Sequence, residues 1–214
     1  MSQSRTSIAP TPWLDFWVVL GLCWGLWTVQ SILSAAGLPT PVRMSWPQFV
    51  LYELLAGTAA IVYLVSRGWQ LGDFPITINW RTTAAGLLLL FVDASLHKIA
   101  YGMGKALGGS TAVLDQLKGE LSAPMALLVS AVNGPFEELL LLSFVFKALE
   151  RQPLSVIIGA SVLIRMLAHI YQGPVGVLSI FLMGVLFALL YARFRQVWPL
   201  IVCHIAEDFF ALVK

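Results

Sequence analysis

Glu137 and Glu138 stand side by side at the head of four leucines, Leu139 to Leu142, and no other charge enters until Lys147. A carboxylate taken out of water must find a partner or lose its charge. A chain that keeps two of them in a membrane-length apolar stretch must fold so that partners reach them. Two other stretches supply candidates: Arg165-Met166-Leu167-Ala168-His169 and His204-Ile205-Ala206-Glu207-Asp208. Each lies in an apolar segment of its own. Lipid would reject the ionisable groups of all three segments, so the three are expected to converge on one buried site.

The rest of the composition fits that setting. Of 214 residues, 58% are hydrophobic and 11% charged, where a soluble domain carries about 25% charged residues. The chain reads as a multi-pass protein of the lipid bilayer, all-α, a transmembrane helix bundle of about seven spans. One integral-membrane domain over residues 1–214 is expected, in a bacterial inner membrane. A net charge of +2, with no block of like charge, argues against a nucleic-acid partner. Cys23 and Cys203 lie far apart in apolar segments and read as free buried thiols. The polar stretch Met1 to Pro12 lacks a signal-peptide pattern, so the first span is expected to be an uncleaved anchor.

Taken in order, spans are expected at about 13–38, 47–66 and 83–105. Asp15, near the start of the first, can reach the headgroup region, and Glu53 falls inside the second. Asp93, His97 and Lys98 fall inside the third, with Asp93 and His97 four apart on one face. A loop is expected over 108–120. The segment 121–150 exceeds the ~20 residues of an untilted span, and Asn133-Gly134-Pro135 is expected to break it. Asn caps helices and Pro suits a first turn, so Glu137 and Glu138 are placed in the first turn of a new helix, where the macrodipole favours them. Further spans follow at about 153–171, 175–191 and 198–213, with a tight turn at Gln172-Gly173-Pro174. Arg5, Arg67, Arg81, Lys147, Arg151, Arg193 and Arg195 fall on one side. Arg43, Lys105, Lys118 and Lys214 fall on the other, which favours an inside N-terminus.

Adjacent residues on a helix point about 100° apart, so one acid of the pair is expected to face the reacting groups and the other to support it. Arg165 needs an anion, and Glu137 or Glu138 is the obvious one. Arg165 and His169 share a face. So do His204 and Asp208, with Glu207 close beside them, and a carboxylate at that spacing can orient an imidazole.

Together these residues resemble the CPBP family of intramembrane proteases, also called the CAAX-protease or Abi family. Its first motif is two glutamates followed after three residues by arginine; its second is Phe-x-x-x-His and its third His-x-x-x-Asn or Asp. Here they correspond to Glu137-Glu138, Arg165-x-x-x-His169 and His204-x-x-x-Asp208. Gly134-Pro135 and the run His169 to Pro174 are similar to the family too, and the motif-bearing core is about 121–214. Two positions depart: Leu142 stands where the arginine of the first motif is expected, and Arg165 where the phenylalanine of the second is. Arg165 is therefore expected to supply the missing guanidinium.

The resemblance implies an intramembrane endopeptidase acting on membrane-associated, prenylated or otherwise hydrophobic peptides. Glu137, Glu138, His169 and His204 would be catalytic, with Arg165, Asp208 and Glu207 in support. A metal, Zn²⁺ by the chemistry of the donors, would be held through Glu138, His169 and His204; a metal-free mechanism stays open. By simple counting His204 sits about 10 Å in depth from Glu138 and His169. Two other classes remain: a transporter with an acid/His relay through Asp93, His97 and Lys98, and a catalytically silent immunity or scaffold protein.

Overall fold

The computed structural model describes residues 12–40, 42, 44–110 and 119–214, and the side chain of Pro12 is outside that description. Most of the Met1–Pro12 stretch, Arg43 and Lys118, used above for topology, and most of the expected 108–120 loop also lie outside it. The described residues form helices α1 (Pro12–Leu20), α2 (Leu26–Ala35), α3 (Trp46–Ser66), α4 (Trp80–Ala106), α5 (Ala123–Glu138), α6 (Val145–Ala148), α7 (Leu154–His169), α8 (Gly173–Phe194) and α9 (Trp198–Leu212). Wider π turns over Gly21–Gly25 and Leu139–Phe144 join α1 to α2 and α5 to α6. Among the described residues there is no strand; one bridge, Leu121 to Val213, ties the start of α5 to the end of α9.

Five stretches are long and apolar enough to cross a membrane: Trp13–Ala35, Trp46–Ser66, Trp80–Ala106, Ala123–Ala148 and Leu154–Phe194. The last is two helices, α7 and α8, parted by a 3₁₀ turn and by Gly173, whose φ of 76° suits glycine. The chain is an integral multi-pass membrane protein.

Helix α9 is the centre of the bundle, packing on α4 and α5, while α8 packs on α4 and α7. Glycines make these approaches close. A Cβ on Gly134 of α5 would lie 2.9 Å from the Ile205 side chain, and one on Gly86 of α4 2.5 Å from the Pro199 carbonyl oxygen. In lipid, where hydrophobicity gives no preference for a neighbouring helix, such small residues let backbones meet.

One expectation is corrected. The helix does not restart at Pro135: α5 runs through it to Glu138, and the irregularity is the π turn that follows. Proline removes the bond to the Ala131 carbonyl, and a spanning helix tolerates that where neighbours surround it. The two glutamates are therefore at the end of α5, where no N-terminal dipole helps them. Asp15, near the start of the first span, has partners within the protein. It is fully buried and accepts bonds from Tyr63 Oη and Arg67 Nε at 3.0 Å and Trp69 Nε1 at 3.1 Å, pinning α1 to the end of α3.

Candidate active site

Helix α5 brings Glu137 and Glu138 into the interior, and two helices, α7 and α9, answer them. Arg165 of α7 is 1% exposed and forks across both acids: Nη1 donates to Glu137 Oε2 at 3.1 Å, Nη2 to Glu138 Oε2 at 2.8 Å. The chain reverses over residues 149–153, so α5–α6 and α7 run antiparallel and the depths match. Gly184 of α8 leaves room for the arginine stem, with its Cβ position 3.6 Å from Arg165 Cδ. A planar fork of donors suits two carboxylates better than a lysine could.

The two acids have different surroundings. Glu138 is fully buried, and its other oxygen meets His204 Nδ1 of α9 at 2.6 Å. Both its oxygens are engaged. Glu137 keeps Oε1 free of direct bonds; the nearest partner is His169 Nε2, 3.9 Å away. His169 Nδ1 donates to the Arg165 carbonyl at 2.8 Å, which turns Nε2 towards Glu137. The 10 Å depth mismatch counted for His204 is absent, because the Gly134 contact seats α9 deep against α5.

Glu137, His169, Asn133 and Asp208 line a cavity of about 390 Å³ walled by Trp24, Trp27, Phe49 and Phe136. Glu138 and His204 are not on its wall. The structure presents Glu137, rather than Glu138, to the cavity. Asn133, expected only as a helix cap, is four residues before Glu137 on the same face. Its Nδ2 donates to Asp208 Oδ2 at 2.8 Å and lies 3.5 Å from His204 Nε2. The 133/137 spacing was the available signal. Glu53 of α3 also lines the cavity, with Oε2 buried and unbonded.

Two further placements differ from expectation. Glu207 does not support His204: it faces α4, with Oε1 2.8 Å from His97 Nε2. At the glutamate pair, the donors that could hold a metal are Glu137, Glu138 and His204, whose ligand atoms lie within 4.8 Å of one another. His169 is not among them, since it stands on the far side of Glu137.

Fold and site thus define a membrane-embedded acid–imidazole centre at the wall of an aromatic cavity. Residues 119–210 match the family model of the type II CAAX prenyl endopeptidase Rce1-like proteins. A relative in Bacillus subtilis (strain 168), named "Putative membrane peptidase YdiL", is 23% identical over 194 residues, covering 88% of this chain and 71% of the relative. No solved structure matches. The two similarities support the CPBP family and, at that level, an intramembrane protease of the CAAX type.

Proposed function

We propose that the chain is an intramembrane endopeptidase that hydrolyses peptide bonds in membrane-embedded or lipidated peptides, with Glu137 as general base. The observation behind this is the 3.9 Å gap between Glu137 Oε1 and His169 Nε2. It is too long for a hydrogen bond, and both residues face the cavity, so that a water beside the gap can bond to both atoms. Glu137 takes a proton from that water as its oxygen attacks the substrate carbonyl. The proton then passes to the amide nitrogen as the C–N bond breaks, which gives a carboxylic acid and an amine. Asn133 Nδ2 is the amide donor on the cavity wall for the developing oxyanion. Arg165 Nη1 holds the Glu137 carboxylate in orientation. His204, clamped by Glu138, positions Asn133 and Asp208 from behind.

A metal at Glu137, Glu138 and His204 fits poorly. Arg165 already puts a positive charge within 3.1 Å of both carboxylates, and a divalent ion beside it would be repelled. No step here runs through a metal. A transporter relay would need Asp93 and His97 on a shared path with the acids, and neither lines the cavity.

The test is cleavage of a quenched-fluorescent peptide, with and without a prenylated cysteine, by the purified chain in detergent. Wild type is expected to cut the peptide, and Glu137→Gln is expected to be folded and inactive. If wild type cuts neither peptide but carries protons or solutes across liposomes, the transporter reading replaces this one.

A further inference from the structure

A second group of ionisable side chains lies between α4 and α9. Asp93 and His97 are one turn apart on α4, and Glu207 comes from α9. The His97 Nε2 atom is 3.6 Å from Asp93 Oδ2 and 2.8 Å from Glu207 Oε1. One oxygen from each acid and Nε2 all lie within 4.8 Å of one another. None of the three lines the cavity of the glutamate–histidine centre.

Four atoms here have no hydrogen-bond partner although buried: Asp93 Oδ1 and Oδ2, His97 Nε2 and Glu207 Oε2. Despite the short distance to Glu207, the Nε2 direction is wrong for an N–H bond. Asp93 is 0% exposed, so its two orphaned oxygens cannot be satisfied by bulk water. Unpaired buried carboxylates are costly. No lysine or arginine among the described residues forms an ion pair with Asp93 or Glu207. This is the opposite of the Glu137–Glu138 pair, where Arg165 supplies the cation.

The imidazole is held as a metal-binding imidazole is. Ser179 Oγ lies 2.9 Å from His97 Nδ1. With Nδ1–H donating to that hydroxyl, the Nε2 lone pair is left facing two carboxylates. Such an outer hydrogen bond fixes tautomer and ring orientation in metal sites. Two carboxylates and the ring nitrogen thus converge on one point. His97 and Glu207 side chains are 30% and 21% exposed, which leaves an edge for entry.

We propose that Asp93, His97 and Glu207 form a divalent-cation site, of the nitrogen-and-oxygen donor type that takes Zn²⁺. Two carboxylates and a neutral imidazole cancel the charge of one such ion. The ion cross-links α4 to α9, the helix that carries His204 and Asp208, and so holds the rear of the active centre in place.

The experiment uses the full-length chain in detergent, exposed to Zn²⁺, freed of loose metal on a chelating resin, and assayed for bound zinc and thermal unfolding. About one equivalent of zinc is expected in wild type and in Glu137→Gln, with a rise in melting temperature that a chelator reverses. Asp93→Asn and Glu207→Gln, each nearly isosteric, are expected to lose the zinc and the rise. If both variants fold too poorly to assay, Co²⁺ replacing Zn²⁺ in wild type reads the ligands by its visible spectrum: nitrogen–oxygen coordination is expected, unchanged in Glu137→Gln. Wild type that retains no zinc overturns the proposal. So does zinc lost in Glu137→Gln and kept in Asp93→Asn; the ion would then sit at the glutamate pair, and the α4–α9 cluster would share protons instead.

Discussion

Glu137 and Glu138 differ by one position and by everything around them. The first has a free oxygen at a cavity; the second has both oxygens bound, to Arg165 and His204. The roles should separate on mutation. Arg165→Phe, which restores an apolar side chain at its position, leaves two buried acids with no cation. Breaking a buried pair from one side costs about 3 to 5 kcal/mol, so Arg165→Phe is expected to melt well below wild type, and to be inactive if it folds. Glu138→Gln should fall in stability for the same reason, since it removes the fully buried charge that faces Arg165, whereas Glu137→Gln should lose hydrolysis with a smaller change in melting. An Arg165→Phe protein that melts like wild type and keeps full activity would show the fork to be dispensable. This pairing was legible from the sequence because the short turn after Ala148 fixes the relative depth of two antiparallel helices. The partner of Glu207 was not: residues 204, 207 and 208 spread over about 100° of one helix. Only the packing of α9 between α4 and α5 decides which acid faces which neighbour.

At the scale of elements, the α4–α9 and α5–α9 contacts carry the site, and both rest on glycine. Gly86→Ala would place a methyl 2.5 Å from the Pro199 carbonyl oxygen, a backbone atom that cannot rotate away. Overpacking of this kind costs about 1 to 3 kcal/mol. The variant is expected to melt lower and to hydrolyse more slowly, because α9 carries His204. Gly159→Ala in α7 is the control: nothing lies within 4 Å of its added carbon, and alanine favours helix by about 0.5 to 1 kcal/mol over glycine. Equal melting of the two variants would mean that the helices separate freely and that the glycine contact holds nothing. The helices themselves could be read from apolar length alone. The irregularity after Glu138 was misplaced to Asn133-Gly134-Pro135 because a proline in water ends a helix, while a proline surrounded by other helices does not have to.

For the whole molecule, the question is what reaches Glu137. The cavity opens between α2, α3 and α5, and the loop after α2 closes one side: Thr40, Val42 and Met44 line it, and the Val42 N–H donates to Gln30 Oε1 at 3.3 Å. Its wall is largely aromatic and apolar, and it also carries Glu137, His169, Asn133 and Asp208. Such a cavity takes an apolar chain and presents one peptide bond to the acid. Ser34 stands on this wall, is exposed, and faces no tight packing. Ser34→Trp would fill part of the cavity without touching Glu137, Arg165 or His169. It is expected to raise KM for a lipidated peptide much more than it lowers kcat, with melting unchanged. A loss of kcat alone would mean that the substrate enters elsewhere, and a parallel fall for every peptide would mean that the cavity is not the path.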